Sequence, residues 1–116
     1  MSLDRIYRQA LKALENKDLL KAKKLFLKIL KNNSDHLDAH YLLGTLFAEQ
    51  GLPRKALHHL NEAIRINPNS AMIHTNLGIL HLQSKDLISA EKSLRTALAI
   101  DETLYQAHFN LAIVLQ

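Results

Sequence analysis

"LDAHYLLGTLFAEQG", residues 37–51, spaces its apolar residues as one face of a helix does and ends on a glycine. Its core, His40-x-x-Leu43-Gly44, returns as His74-x-x-Leu77-Gly78 and again as His108-x-x-Leu111-Ala112, each time 34 residues after the last. A helix rewritten at a fixed interval marks a stack of like units. With units numbered from Leu3, Leu37, Ala71 and Tyr105, slot 7 holds Gln9, Leu43, Leu77 and Leu111, and slot 8 holds Ala10, Gly44, Gly78 and Ala112. Slot 20 holds Ala22, Ala56 and Ala90, slot 24 holds Phe26, Leu60 and Leu94, and slot 27 holds Ile29, Ala63 and Ala97. The registers align with no insertion.

The pattern implies two helices per unit. In the second unit the first helix is expected over residues 37–50, closed by Gly51 in the left-handed conformation. Pro53 suits the first turn of the next helix, where a missing N–H costs nothing. That helix should run to residue 66, where Asn67-Pro68 stops it. Asp18 and Asp86 stand where the equivalent helices need caps. Thr103-x-x-Gln106 reads as a capping box for the last helix. Small residues in slots 8 and 20 allow the paired helices to approach closely, and larger ones in slots 4, 7, 11 and 24 fill the space around the crossing. One hairpin cannot bury both of its faces, so neighbours must stack, with helix axes roughly 8–10 Å apart. The expected fold is therefore all-α: a curved solenoid of antiparallel helix pairs, about seven helices long.

Composition agrees. Apolar residues make up 47% of the 116, enough to bury a core, while three glycines and two prolines are too few for a strand-and-turn fold. No apolar run is long enough to span a bilayer, no secretory leader is visible, and without cysteine there is no disulfide framework, so a cytoplasmic location is expected. The net charge of +4 is uneven. Residues 1–36 carry nine Lys/Arg against four Asp/Glu, and the remainder six against seven. The excess lies mainly in Lys17, Lys21, Lys23, Lys24, Lys28 and Lys31. It reads first as a solvated helix face, and otherwise as a patch for an acidic protein, nucleic acid or lipid headgroups. No aromatic residues interleave with these lysines as a stacking platform would need, so neither nucleic acid nor membrane is expected as a partner.

The pattern resembles the tetratricopeptide repeat. The second unit carries the likeness best, through Leu43-Gly44, Phe47, Ala56, Leu60 and Pro68. The third keeps Leu77-Gly78, Ala90, Leu94 and Ala97 but has Glu102 in the proline position, and the first has Gln9-Ala10 and Ser34. The family's usual tryptophan in slot 4 is His40, His74 and His108 here. The resemblance implies a right-handed α-α superhelix, with units at about 3–36, 37–70 and 71–104 and a partial one at 105–116. Because "FNLAIVLQ" lacks a partner helix, the 1–116 array is expected to be a piece of a longer chain.

Seven histidines invite a metal, but the slot 4 copies lie one per unit, too far apart to share an ion, and His58 and His59 are adjacent on a helix and point apart. No metal and no cofactor is expected. The glycines form no phosphate loop, and Asp101-Glu102 fit a turn between units, so the segment itself is not expected to be an enzyme.

Binding is the better candidate. By resemblance, the first helices of the units line the concave face, where Tyr7, Arg8, Leu11, Tyr41, Leu42, Thr45, Met72, Asn76, Ile79, Phe109 and Asn110 would form a groove for a peptide or protein segment. The same positions also suit packing of repeat on repeat. Asn76 and Asn110 share slot 6, and a carboxamide can both accept from and donate to a peptide backbone. Similar asparagine ladders occur in family members that bind long peptides. Members that grip chaperone C-termini use Lys, Asn and Arg in groove slots filled here by Tyr7, Leu11, Leu42, Met72 and Asn76, of which only one matches, so that role is not expected. The alternatives are self-association through residues 105–115, or an array attached to an enzyme such as a glycosyltransferase.

Overall fold

The computed structural model describes residues 2–116. Seven helices follow one another: α1 (Leu3–Glu15), α2 (Leu19–Asn32), α3 (Leu37–Glu49), α4 (Pro53–Ile66), α5 (Ala71–Gln83), α6 (Leu87–Ile100) and α7 (Tyr105–Val114). Three hairpins, α1–α2, α3–α4 and α5–α6, stack in order, and α7 closes on α6. The first helices α3, α5 and α7 touch in succession, whereas the second helices make no comparable contact with one another among the described residues. The stack is therefore curved, with first helices inside and second helices outside. Its extents of 48 × 25 × 21 Å are those of a rod and not of a closed bundle.

Close approach within each hairpin depends on the small slots. A Cβ placed on Gly44 would lie 2.8 Å from Leu60 Cγ, and one on Gly78 would lie 2.7 Å from Leu94 Cγ. Ala22, Ala56 and Ala90 across the crossing are fully buried. Around them Phe26, Ile29, Leu43, Leu60 and Leu94 fill the interior.

The hairpin turns share one conformation. Lys17, Gly51 and Lys85, all in slot 15, have φ of 60°, 73° and 63°. In each turn the next residue's N–H reaches back to the helix: Asp18 to the Ala13 carbonyl, Leu52 to Phe47, and Asp86 to His81. This is the Schellman closure, and only one of its three left-handed positions is glycine. Asp18 and Asp86 then cap α2 and α6 through the N–H groups of Lys21 and Ser89, while α4 opens on Pro53 with no side-chain cap.

The turns between units also repeat. The side-chain oxygens of Asn33, Asn67 and Asp101 accept from the N–H two residues on. The expected capping box at Thr103 and Gln106 does not form. Asp101 captures the Thr103 hydroxyl at 2.6 Å, the position before α7 is Leu104, and no side chain caps that helix. The competing local bond to Asp101 draws the threonine away from the helix.

Candidate functional site

The inner face is built from α1, α3, α5 and α7. Between α3 and α5 lies a cleft of about 160 Å³, walled by Thr45, Ala48 and Glu49 on one side and Asn76, Ile79 and Gln83 on the other. Nearer the helix starts is a hollow of about 260 Å³ bordered by Asp38, Tyr41, Met72 and Ile73. The Asn76 amide nitrogen donates to the Tyr41 hydroxyl at 2.9 Å and so links the linings of the two. One unit earlier, the Tyr7 hydroxyl donates to Asp38 at 3.2 Å. The slot 5 tyrosines thus reach from α1 to α3 and from α3 to α5, whereas slot 5 of α5 is Thr75, which bonds its own helix. Burial, and then the Asp38 charge, push the Tyr7 hydroxyl's pKa up, so it remains a proton donor.

The structure brings Tyr41, Thr45, Met72, Asn76 and Ile79 around these two openings. Tyr7, Arg8, Leu11, Leu42, Phe109 and Asn110 border neither. Thr45 turns its hydroxyl onto the Tyr41 carbonyl of its own helix. Asn110 does likewise, donating to the Gln106 carbonyl at 2.8 Å, while Phe109 is 54% exposed and stacks on Tyr105. The two slot 6 asparagines therefore differ. Both amide nitrogens are engaged within the chain, one across units and the other along its own helix. What Asn76, a lining residue of the cleft, leaves without a hydrogen bond among the described residues is its acceptor oxygen. Neither opening is lined by a lysine or arginine.

The histidines hold the joints. His40, His74 and His108 each place Nε2 on the carbonyl six residues earlier, that of Ser34, Pro68 and Glu102, at 2.8, 2.9 and 2.6 Å. A carbonyl only accepts, so Nε2 carries the proton in all three. His40 meets a further partner that sequence spacing does not reveal. Its Nδ1 lies 3.0 Å from Nδ1 of His59 on α4, and both rings are buried. With Nε2 protonated, neutral His40 accepts at Nδ1, so His59 donates from Nδ1. Burial first, then the charges of His40 and His58, lower the His59 pKa to about 4, with Glu62 acting weakly the other way. His58 itself is exposed, so the adjacent pair divides between surface and core, with ring centroids still 4.9 Å apart. Among the described residues no group of three His, Cys, Asp or Glu could hold a metal ion. No described helix is long and apolar enough to cross a membrane.

Equal helical hairpins, one turn geometry reused and an open inner face define a helical-repeat protein of the solenoid class. The tetratricopeptide repeat model matches residues 7–71 and 45–105, and the chain belongs to that family. It is 32% identical over 100 residues to anaphase-promoting complex subunit 3 of Schizosaccharomyces pombe, a match covering 86% of this chain and 15% of that protein. It is 34% identical over 91 residues to the probable UDP-N-acetylglucosamine–peptide N-acetylglucosaminyltransferase SPINDLY of Arabidopsis thaliana, covering 78% of this chain and 10% of that one. The chain spans 10 to 15% of the length of the curated relatives it matches. In fold it is similar to the first tetratricopeptide domain of Spaghetti (RPAP3) bound to an HSP90 peptide, with a TM-score of 0.92 at 13% identity, over 98% of this chain and 90% of that one.

Proposed function

We propose that the chain is a protein-interaction scaffold whose inner groove holds an extended protein segment. The observation that carries this reading is the Tyr41–Asn76 pair. It fixes a carboxamide between two openings, with its oxygen unengaged among the described residues and apolar Ile79 and Met72 on either side. A backbone N–H of the guest would donate to that oxygen, and a guest side chain would fill the cleft. With Glu49 and Asp38 at the walls and no cation, the groove favours a neutral or basic segment over an acidic C-terminus. The Spaghetti domain holds its peptide on the same fold, and the guest here would differ in charge. If the chain serves a glycosyltransferase like its relative, the same groove would present the protein to be modified.

Peptides selected on this domain from a displayed library should bind Asn76→Ala about tenfold more weakly, the scale of one hydrogen bond, with helicity unchanged. Undiminished affinity in titration calorimetry would remove Asn76 from the groove's machinery. Asn110→Ala should matter less, because its amide nitrogen is turned onto its own helix.

A second reading is favoured by α7, where Tyr105, Phe109 and Leu115 are 73%, 54% and 56% exposed. Two copies docking on this face would bury it. Sedimentation that shows only monomer across a wide concentration range would exclude it.

A further inference from the structure

The outer face carries an opening of its own, unrelated to the groove. Between α2 and α4 lies a cleft of about 390 Å³, lined by Leu27, Phe47, Arg54, Lys55, His58 and His59. Its floor is apolar and its rim is cationic, and no carboxylate lines it. Lys23 and Lys55 hold their ammonium groups 5.7 and 5.5 Å from the Phe47 ring centre, and Lys23 also donates to the Gln50 side chain. The ion pairs among the described residues use only Arg65 and Arg95 as cations. Glu62, the acid that acts on His59, is drawn to Arg65. The rim cations are therefore without acidic partners. Along α2, Leu20, Lys24, Leu27 and Lys31 fall on one stripe at helical spacing, with Leu20 62% and Leu27 47% exposed.

We propose that this outer cleft is a docking site for an acidic peptide that carries an apolar anchor. Its carboxylates would pair with Lys23, Arg54 and Lys55 at the rim, and the anchor would pack against the exposed Leu27 side chain. Charge complementarity selects this guest. A nucleic acid would need an open ring face for its bases, but His59 stacks on Phe47 at 5.6 Å and the ring is only 6% exposed. A lipid surface would not enter a recess between two helices.

The test uses isotope-labelled protein and the probe peptide Glu-Asp-Leu-Phe-Asp-Glu, followed by amide chemical shifts. Two comparators separate the contributions: Gln-Asn-Leu-Phe-Asn-Gln lacks the charge, and Glu-Asp-Gly-Gly-Asp-Glu lacks the anchor. Shifts should cluster at Leu27, Phe47, Lys55 and His58, with each comparator binding about tenfold more weakly. The double variant Arg54→Glu/Lys55→Glu should lose binding and keep its fold, because acids in the first turn of α4 suit the helix dipole. Leu27→Ser, at an exposed site, gives an independent loss through the anchor. Shifts confined to inner-face residues such as Asn76 and Ile79, equal binding of either comparator, or no shift at millimolar peptide would overturn the proposal. Tighter binding of a thymidine oligonucleotide or of phosphatidylserine vesicles at the same residues would overturn it as well.

Discussion

Lys17 and Lys85 occupy a backbone conformation that costs an L-residue roughly 1–2 kcal/mol, whereas Gly51 meets the same demand freely. Glycine loses more entropy on folding, which offsets part of that difference. Lys17→Gly and Lys85→Gly should each raise stability by about 1 kcal/mol, seen as a higher urea midpoint with unchanged slope. Gly51→Ala should lower it by a similar amount. A Cβ there meets nothing within 4 Å, so its loss is purely a backbone effect. At His59 the pH dependence has a definite sign. The folded pKa of about 4 lies below the ordinary 6.5, so the unfolded chain binds the proton more tightly. The stability that neutral His59 contributes is complete above pH 6.5 and is lost as pH falls toward 4, by on the order of 2 kcal/mol. His40, His58 and Glu62 face the ring and act on its charge, so the loss belongs to the contacts of the whole cluster. Urea midpoints should fall between pH 7 and 5 in the native protein and fall less in His59→Gln.

At the scale of the element, the hairpin crossing is set by Gly44 and Gly78. Gly78→Val would force the buried Leu94 side chain aside and should cost about 2 kcal/mol despite valine's better helix propensity, measured by thermal unfolding. The helices and these crossings were legible because a period of 34 aligns equivalent positions, and glycine, alanine and proline then explain themselves. The period says which residues share a slot, but not which slots face each other. The meeting of His40 in slot 4 with His59 in slot 23 therefore escaped it, as did the hydroxyl bridges from Tyr7 and Tyr41. Lysine at a left-handed position gives no sequence signal, since only glycine advertises one. Thr103 was misread because two local bonds competed and Asp101 won. Of the groove, the face and the period were readable. The direction of each asparagine amide was not, because it depends on a neighbour one unit away at Asn76 and none at Asn110.

At the scale of the whole molecule, helices touch mostly their neighbours in the sequence, so stability should be distributed along the rod instead of held in one centre. Among the described residues helix α7 packs mainly on α6 and α5 and is covered on one side. Its amides should exchange with deuterium first, and those of α3 to α6 last. Leu94→Ala should speed exchange in α5 to α7 well before α1 and α2, whereas a uniform rise along the chain would show a single cooperative unit. The imidazoles at the unit boundaries bear on a different property. Each spans one joint, from the opening turn of a helix back to the bend before it. Drawn out from its two ends, such a rod would not slacken smoothly: it would resist as a braced spring and then yield in discrete steps, one brace releasing after another.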